Sequence, residues 1–196
     1  GNGNNGGDGL AIARMLQHDG HPVKVYLFHG ERSADNQKNL GRLIQTGAVE
    51  IDYISEVGQL PSFQHSDVVI DAMYGYGLNK PLIGLQADIV KYLNQSSAIR
   101  ISIDTPSGLF CDQHSEGVIF EADRVYTFQF PKLAFLLPEN GKFVKRFKIL
   151  DIRLSHEFIQ QLPVHHFFLE KKDIQQRYQP RNKFSHKGSF GHSLII

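Results

Sequence analysis

Cysteine occurs once in the 196 residues, at Cys111, so no disulfide framework can form within the chain and no cysteine-cluster zinc site is available. A lone thiol fits a reducing compartment, and a cytoplasmic location is the expectation. Neither sign of charge dominates. The formal net charge of +1 leaves no basic field for nucleic acid and no acidic tail. No apolar run approaches the roughly 18 residues of a membrane span, and no signal peptide is visible. Nucleic acid and membrane are therefore not expected as partners. The ten histidines show no metal-ligand spacing: His18 and His21 straddle a helix end, and His165 and His166 lie in the tail. What remains is ordinary globular composition, 41% hydrophobic and 21% charged, enough for one α/β domain with a little left over.

Glycine and asparagine, by contrast, crowd the start. The first nine residues, Gly1-Asn2-Gly3-Asn4-Asn5-Gly6-Gly7-Asp8-Gly9, contain five glycines and three asparagines. They cannot pack a core, but they supply close-approach backbone, free N–H groups and side-chain oxygens. A helical pattern follows at Leu10, Ile12, Ala13, Met15 and Leu16. A glycine-rich turn feeding a helix N-terminus suits phosphate or pyrophosphate. Gly1, Gly3 and Gly6 also satisfy G-x-G-x-x-G. That fingerprint should follow a strand and be answered about 20 residues later by an acid gripping a ribose. After the next strand, 23–28, come His29 and Gly30, with Glu31 only third. A dehydrogenase loop and a ligand-free turn stay equally open on this segment alone.

Further on, Ser33 is placed to cap a helix carrying Leu40, Leu43 and Ile44, and Gly47 ends it. Residues 49–54 form a short strand. The apolar runs 67–71 and 99–103 carry the signature of strands buried on both faces. The first runs into the Gly- and Pro-punctuated loop Tyr74–Pro81, the second into Asp104-Thr105-Pro106-Ser107-Gly108. Leu85, Ile89, Tyr92 and Leu93 mark a helix between them, and 125–130 and 147–152 read as later strands. Strands alternating with helices predict a mostly parallel sheet, whose ligands lie beyond the carboxyl ends of the strands. From Leu154 the character changes: an apolar stretch near 155–169, then a charged, proline-punctuated linker to Asn182. Residues 186–196 read as a glycine-bearing turn entering a strand. The chain starts inside a motif and stops in mid-strand, so it is read as a fragment.

Three strand-end loops converge on one chemistry. Asn5, Asp71 and Ser107 offer hard oxygen donors without histidine or thiol, a set for an oxygen-preferring cation rather than zinc. Only one of the three is charged, which points to a monovalent ion such as K⁺ over Ca²⁺. Taken singly, Asp71 and Asp104 are equally read as strand-end and turn aspartates capping backbone N–H groups. Lys132, after Pro131, reads either as a phosphate contact or as an exposed lysine. Cys111 has no base in sequence reach and is read as inert. No Gly-Lys-Ser/Thr follows the glycines, which excludes an ATPase P-loop.

Read together, the residues 3–9, 69–77 and 102–108, with Thr127-Phe128-Gln129-Phe130-Pro131-Lys132 and Asp151-Ile152, resemble the YjeF N-terminal domain family, the NAD(P)H-hydrate epimerases. The resemblance covers residues 1–155. It implies a Rossmann-like, mostly parallel sheet flanked by helices, with the family's N-terminal helices and first, central strand missing from this chain. It also implies a homodimer or higher oligomer and hydrated NADH or NADPH (NADHX, NADPHX) as substrate. Carried over residue by residue, Asn5, Asp71 and Ser107 would hold one K⁺. Asn4, Asn5, Gly6, Gly7 and Asp8 would contact substrate, as would Gly75, Tyr76, Gly77, Leu78, Asn79, Lys80 and Pro81, and Asp104. After a linker at 156–182, residues 183–196, with His186-Lys187-Gly188 and Phe190-Gly191, resemble the first strand of a ribokinase-like, ADP- or ATP-dependent NAD(P)H-hydrate dehydratase domain.

The substrate carries a hydroxyl on a ring carbon next to nitrogen. Its lone pair can help expel that hydroxyl, and the cationic imine is rehydrated from the other face. Asp104 is the expected catalytic residue, protonating the leaving oxygen and later taking a proton from water. Ring opening before inversion is the alternative route. The competing class is a non-catalytic binding or scaffold module built on the same domain. Such scaffolds tend to lose loop residues, whereas Asn5, Asp71, Asp104 and Ser107 are all present.

Overall fold

In a computed structural model describing residues 1–191 and 194, the chain separates into two compact units, 1–159 and 160–196. The first carries six strands, all paired in parallel. β1 (Lys24–Phe28) pairs with β2 (Glu50–Ile54) in a two-stranded sheet. β3 (Val68–Asp71), β4 (Ile99–Ile103), β5 (Arg124–Phe128) and β6 (Phe147–Leu150) form a four-stranded sheet in that order. The expected runs are therefore strands, but burial on both faces holds only toward their carboxyl ends. Val68 and Ile99 at the opposite ends are 52% and 46% exposed.

Helix α1 (Asn4–His18) begins inside the glycine segment rather than behind it. Glycine costs roughly 1 kcal/mol per residue in a helix interior relative to alanine, so propensity argues against this start. Packing overrides it. A Cβ on Gly6 would lie 1.8 Å from the Gly1 carbonyl oxygen and 2.7 Å from Asn36 Nδ2, and one on Gly9 would lie 2.5 Å from Ala72 Cβ. Only glycine lets the helix sit so close to its neighbours.

Helix α2 (Ala34–Thr46) follows the sequence reading: Ser33 Oγ accepts from Asn36 N, and Gly47 closes the helix in the left-handed region at φ 63°. Leu10 and Ala13 of α1, Leu27 of β1 and Leu43 of α2 form one small core. A larger core gathers Val69, Val125 and the buried face of α3 (Gly84–Asn94), with Ala87, Ile89, Val90 and Leu93. No helix is described between β4 and β5. Residues 104–123 instead fold inward as a loop, burying Leu109, Phe110, Ile119 and Phe120 and tying Phe120 N to Ser107 O at 2.9 Å. The chain start meets the carboxyl ends of both sheets. The Gly1 amine donates to Ala72 O (3.0 Å), and Asn2 Nδ2 donates to His29 O (3.1 Å).

In the tail, α4 (His156–Gln161) and α5 (Lys171–Arg177) are helical, so part of the expected linker is ordered. Glu170 and Asp173 form a reciprocal cap at the start of α5, a device that supplies local helix stability. The glycine-bearing turn at Lys187–Phe190 is a 3₁₀ turn. The strand expected after it falls on residues outside the described ones, apart from Leu194. Among the described residues no helix is long and apolar enough to cross a membrane.

Candidate active site

Parallel strands place every carboxyl end on one side, and the expected residues stand there. Asp71, the last residue of β3, is 3% exposed. Its Oδ1 accepts from Met73 N (3.1 Å) and Ser107 Oγ (2.6 Å), and its Oδ2 from Ser107 N (2.8 Å) and Ser102 Oγ (3.1 Å). Burial pushes the Asp71 carboxyl above the usual carboxylate range, while these bonds pull the opposite way. Ser107 Oγ in turn accepts from Tyr74 N (3.0 Å), which fastens the 74–81 loop to the 104–108 loop.

Asn5 reaches the same region from α1. Its Nδ2 donates to Ile103 O (3.2 Å), and its Oδ1 is buried without a hydrogen-bond partner. An orphaned buried oxygen costs free energy unless something fills it. Asn5 Oδ1, the Asp71 carboxylate and the Ser107 hydroxyl are the oxygen donors a K⁺ ion would need, and the orphaned Asn5 oxygen fits that use. No cluster of three or more His, Cys, Asp or Glu side chains suited to a metal is found among the described residues.

Asp104 sits in a strained turn. Its φ is 63°, and Thr105 N donates back to Ile103 O (2.8 Å), the closure of a three-residue γ-turn. A non-glycine residue held there costs of order 1–3 kcal/mol and persists only when its surroundings over-determine it. They do. Asp104 N donates to Tyr126 O (2.8 Å). Its Oδ2 accepts from Tyr76 N (3.1 Å), and its Oδ1 from Thr127 Oγ1 (3.3 Å) and Phe128 N (3.4 Å). Lys132 Nζ lies 3.1 Å from the same Oδ1. A Cβ on Gly75 would come within 3.2 Å of both Asp104 Oδ2 and Asn5 Cγ, so a bare backbone separates the two side chains.

The glycine segment supplies the third wall. Gly3, the residue before α1, brings no side-chain cap, so the N–H groups of Asn4, Asn5 and Gly6 are not closed by one. Asn4 is exposed, Gly6 and Gly7 are buried, and Asp8 is half-buried. Burial, then the charge of Asp104, then that of Asp35 push the Asp8 carboxyl up. In the 75–81 loop Tyr76 OH donates to Asp112 Oδ2 (2.9 Å). Gly77, Asn79, Lys80 and Pro81 are exposed, and Leu78 is half-buried. A cavity of about 250 Å³ lies between residues 76–79 and 110–113, just below the range of about 300–1,000 Å³ for ligand pockets. Cys111 lines it, but burial pushes its thiol up to about 11, in keeping with an inert thiol.

Two supports escaped the sequence reading. Asn36 is fully buried; its Nδ2 donates to both Gly1 O and Gly3 O at 2.9 Å, holding the glycine segment. Gln129 repeats the γ-turn one strand over, at φ 61° with Phe130 N donating to Phe128 O (2.7 Å). The legible signal for Asn36 was a short amide on a helix that follows a glycine-rich segment. For Gln129 there was none.

Parallel sheets with a glycine-led helix start and two aspartates at the carboxyl ends of adjacent strands define a Rossmann-like α/β protein. Within that class, the model for the YjeF-related protein N-terminus matches residues 1–134, and the chain belongs to this family. A protein named NAD(P)H-hydrate epimerase from Rhodopirellula baltica is 31% identical over 84% of this chain and 68% of its own length. The protein of the same name from Oenococcus oeni is 33% identical over 76% of this chain and 70% of its own. The bifunctional NAD(P)H-hydrate repair enzyme Nnr of Thermofilum pendens is 33% identical over 100% of this chain, which spans 38% of that relative's length. A yeast protein of known crystal structure shares the fold, with a TM-score of 0.67 at 21% identity over 88% of this chain and 72% of its own.

Proposed function

We propose that the chain interconverts the R and S epimers of hydrated NADH and NADPH, with Asp104 handling the proton transfers. The observation that carries this reading is Asp104 itself. It is an aspartate in a strained left-handed turn, held by donors from the 74–81 loop and from β5. Strain of this kind concentrates where a side chain must be held in one working position.

The dinucleotide's pyrophosphate lies on the uncapped start of α1, where backbone N–H groups and the helix dipole favour an anion. Asn4, Asn5, Gly6, Gly7 and Asp8 approach it from the helix, and residues 75–81 cover the other side. Asn5, Asp71 and Ser107 hold K⁺, which when bound supplies a positive charge that orders the three strand-end loops. Asp104 manages the proton as the hydroxyl leaves the hydrated ring and as water returns on the opposite face. The protein works in the cytoplasm as a homodimer or higher oligomer on a small-molecule substrate, without nucleic acid or membrane.

Residues 1–155 form the epimerase domain, 156–182 a linker, and 183–196 the opening of an ADP- or ATP-dependent dehydratase domain that removes water from the S epimer. The extent of the matches supports this division. The bifunctional relatives from Thermofilum pendens, Moorella thermoacetica and Coxiella burnetii align with 100% of this chain. The epimerases from Rhodopirellula baltica and Oenococcus oeni align with 84% and 76%.

The test is to give the protein purified S or R hydrated NADH and follow the other epimer by chromatography. Interconversion well above the spontaneous rate is expected. Tight binding of both epimers with no rate above background would favour the scaffold reading.

A further inference from the structure

We infer that Lys132 is the proton donor of the site, dividing with Asp104 a task that one carboxylate would otherwise perform alone. The inference rests on the epimerase reading and deepens it.

The chain is built to bring this lysine back. After β5 the γ-turn at Gln129 reverses direction, and Gln129 Oε1 is pinned by Ile152 N (3.1 Å). The reversal returns Lys132 to the strand it has just left, where Nζ donates to Phe128 O (3.3 Å) and pairs with Asp104 Oδ1 (3.1 Å). The two side chains are only 13% and 11% exposed, so this is not a solvated surface pair. A lysine has three ammonium hydrogens, and two are accounted for. The ammonium also stands 5.7 Å from the centroid of the Tyr76 ring, in the loop proposed to cover the substrate.

The carboxylate's own contacts make the division necessary. Both Asp104 oxygens are occupied by donors: Tyr76 N on Oδ2, and Thr127 Oγ1, Phe128 N and Lys132 Nζ on Oδ1. As an ionised carboxylate among these donors it has no hydrogen to give at the moment the hydroxyl leaves. The hydrogen available to a departing hydroxyl belongs to the ammonium.

The step balances without any oxidant or reductant. The ring C–O bond breaks and its electron pair leaves with oxygen, while the nitrogen lone pair forms the C=N⁺ bond. One Nζ–H proton passes to the oxygen, which departs as water and leaves a neutral amine. Water then adds to the opposite face of the cationic imine and its excess proton returns, through Asp104, to Lys132. Asp104 also offsets the positive charge of the imine.

The experiment compares Lys132→Arg, Lys132→Ala and Asp104→Asn in epimer interconversion, with substrate protection against heat as a binding readout. Arginine keeps the charge and an ion pair but does not release a proton at neutral pH. Lys132→Arg and Lys132→Ala are each expected to lose about 10²–10⁴-fold in rate. Substrate should still protect both. Added methylammonium should restore part of the rate to Lys132→Ala and none to Lys132→Arg, whereas guanidinium, which re-forms the ion pair without a proton to give, should restore neither. If Lys132→Ala does not fold, Lys132→Arg decides alone. A Lys132→Arg rate near wild type, or a folded Lys132→Ala unresponsive to methylammonium, overturns the inference. It would leave the epimerase reading standing so long as wild type is active and Asp104→Asn is not. An inactive wild type would instead remove the epimerase reading itself.

Discussion

Asp71 and Asp104 end adjacent parallel strands, yet their surroundings differ at every point. Asp71 is the last residue of β3 and is sealed in, with backbone and serine donors on both oxygens. It has no ion-pair partner within 4 Å among the described residues. Asp104 follows β4, adopts a left-handed turn and shares an ammonium with the cleft. Asp71 lies within β3, in register with Ser102, whereas Asp104 stands just past the end of β4. The same residue type thus becomes either a fixed part of the framework or a group able to move a proton, as its neighbours decide.

Exchanging each carboxyl for an amide tests that contrast most directly. Asp104→Asn preserves shape but cannot take up a proton, and in either amide orientation it leaves the Tyr76 or the Phe128 N–H without its acceptor. Epimer interconversion should fall about 10²–10⁴-fold, or about 3–5 kcal/mol of transition-state stabilisation, while substrate still raises the melting temperature. A variant with near wild-type rate would show that the strained turn is structural.

Asp71→Asn should reverse the pattern, acting on stability and ion dependence first. An amide presents an acceptor on one side only. One side of Asp71 faces Met73 N and Ser107 Oγ, and the other faces Ser107 N and Ser102 Oγ. The hydroxyls can turn, but in either amide orientation one backbone N–H loses its acceptor. The expected cost is about 1–3 kcal/mol, measured as a lowered denaturant midpoint at unchanged slope. An unchanged midpoint would mean that the wild-type carboxyl is not held as an anion by these groups.

The contrast was half visible in the amino-acid sequence. Apolar runs ending in aspartate, with glycine and proline behind them, placed both carboxyls at strand ends. The Ser33 cap and the Gly47 stop were legible because capping chemistry is local. What could not be read depended on contacts between distant segments. Asn4 to Gly9 look like a turn by propensity and are helical because Asn36, Gly1 and Ala72 leave room only for glycine. Asn36 shares the apolar face of its helix with Leu40 and Leu43 and is fully buried, but its partners, the Gly1 and Gly3 carbonyls, lie more than 30 residues away. Gln129 has no local preference for positive φ, so its turn follows from the packing of β5 and β6.

The smallest expected effect sharpens the comparison through pH. Burial raises the Asp71 carboxyl in the folded protein, whereas the unfolded chain titrates near the ordinary value of about 3.9. A raised folded value means that the native state holds its proton longer than the unfolded chain does. Without K⁺, the stability due to this group is therefore fully present below the ordinary value and is lost as pH rises through the folded one. The K⁺ proposed at Asn5, Asp71 and Ser107 would favour the ionised carboxylate, so its protection would have the opposite dependence. It is absent while Asp71 keeps its proton and grows as the proton leaves. At a K⁺ concentration ten times Kd the gain is about 1.4 kcal/mol. The measurement is the difference in melting temperature between potassium chloride and choline chloride at equal ionic strength, followed upward in pH from the ordinary carboxylate value of about 3.9. The difference should open with rising pH in the wild type and stay flat in Asp71→Asn. Asp104→Asn should retain it, because that carboxylate serves the proton and not the ion. A potassium effect independent of pH, or one that survives in Asp71→Asn, would place the ion elsewhere and leave the orphaned Asn5 oxygen without its partner.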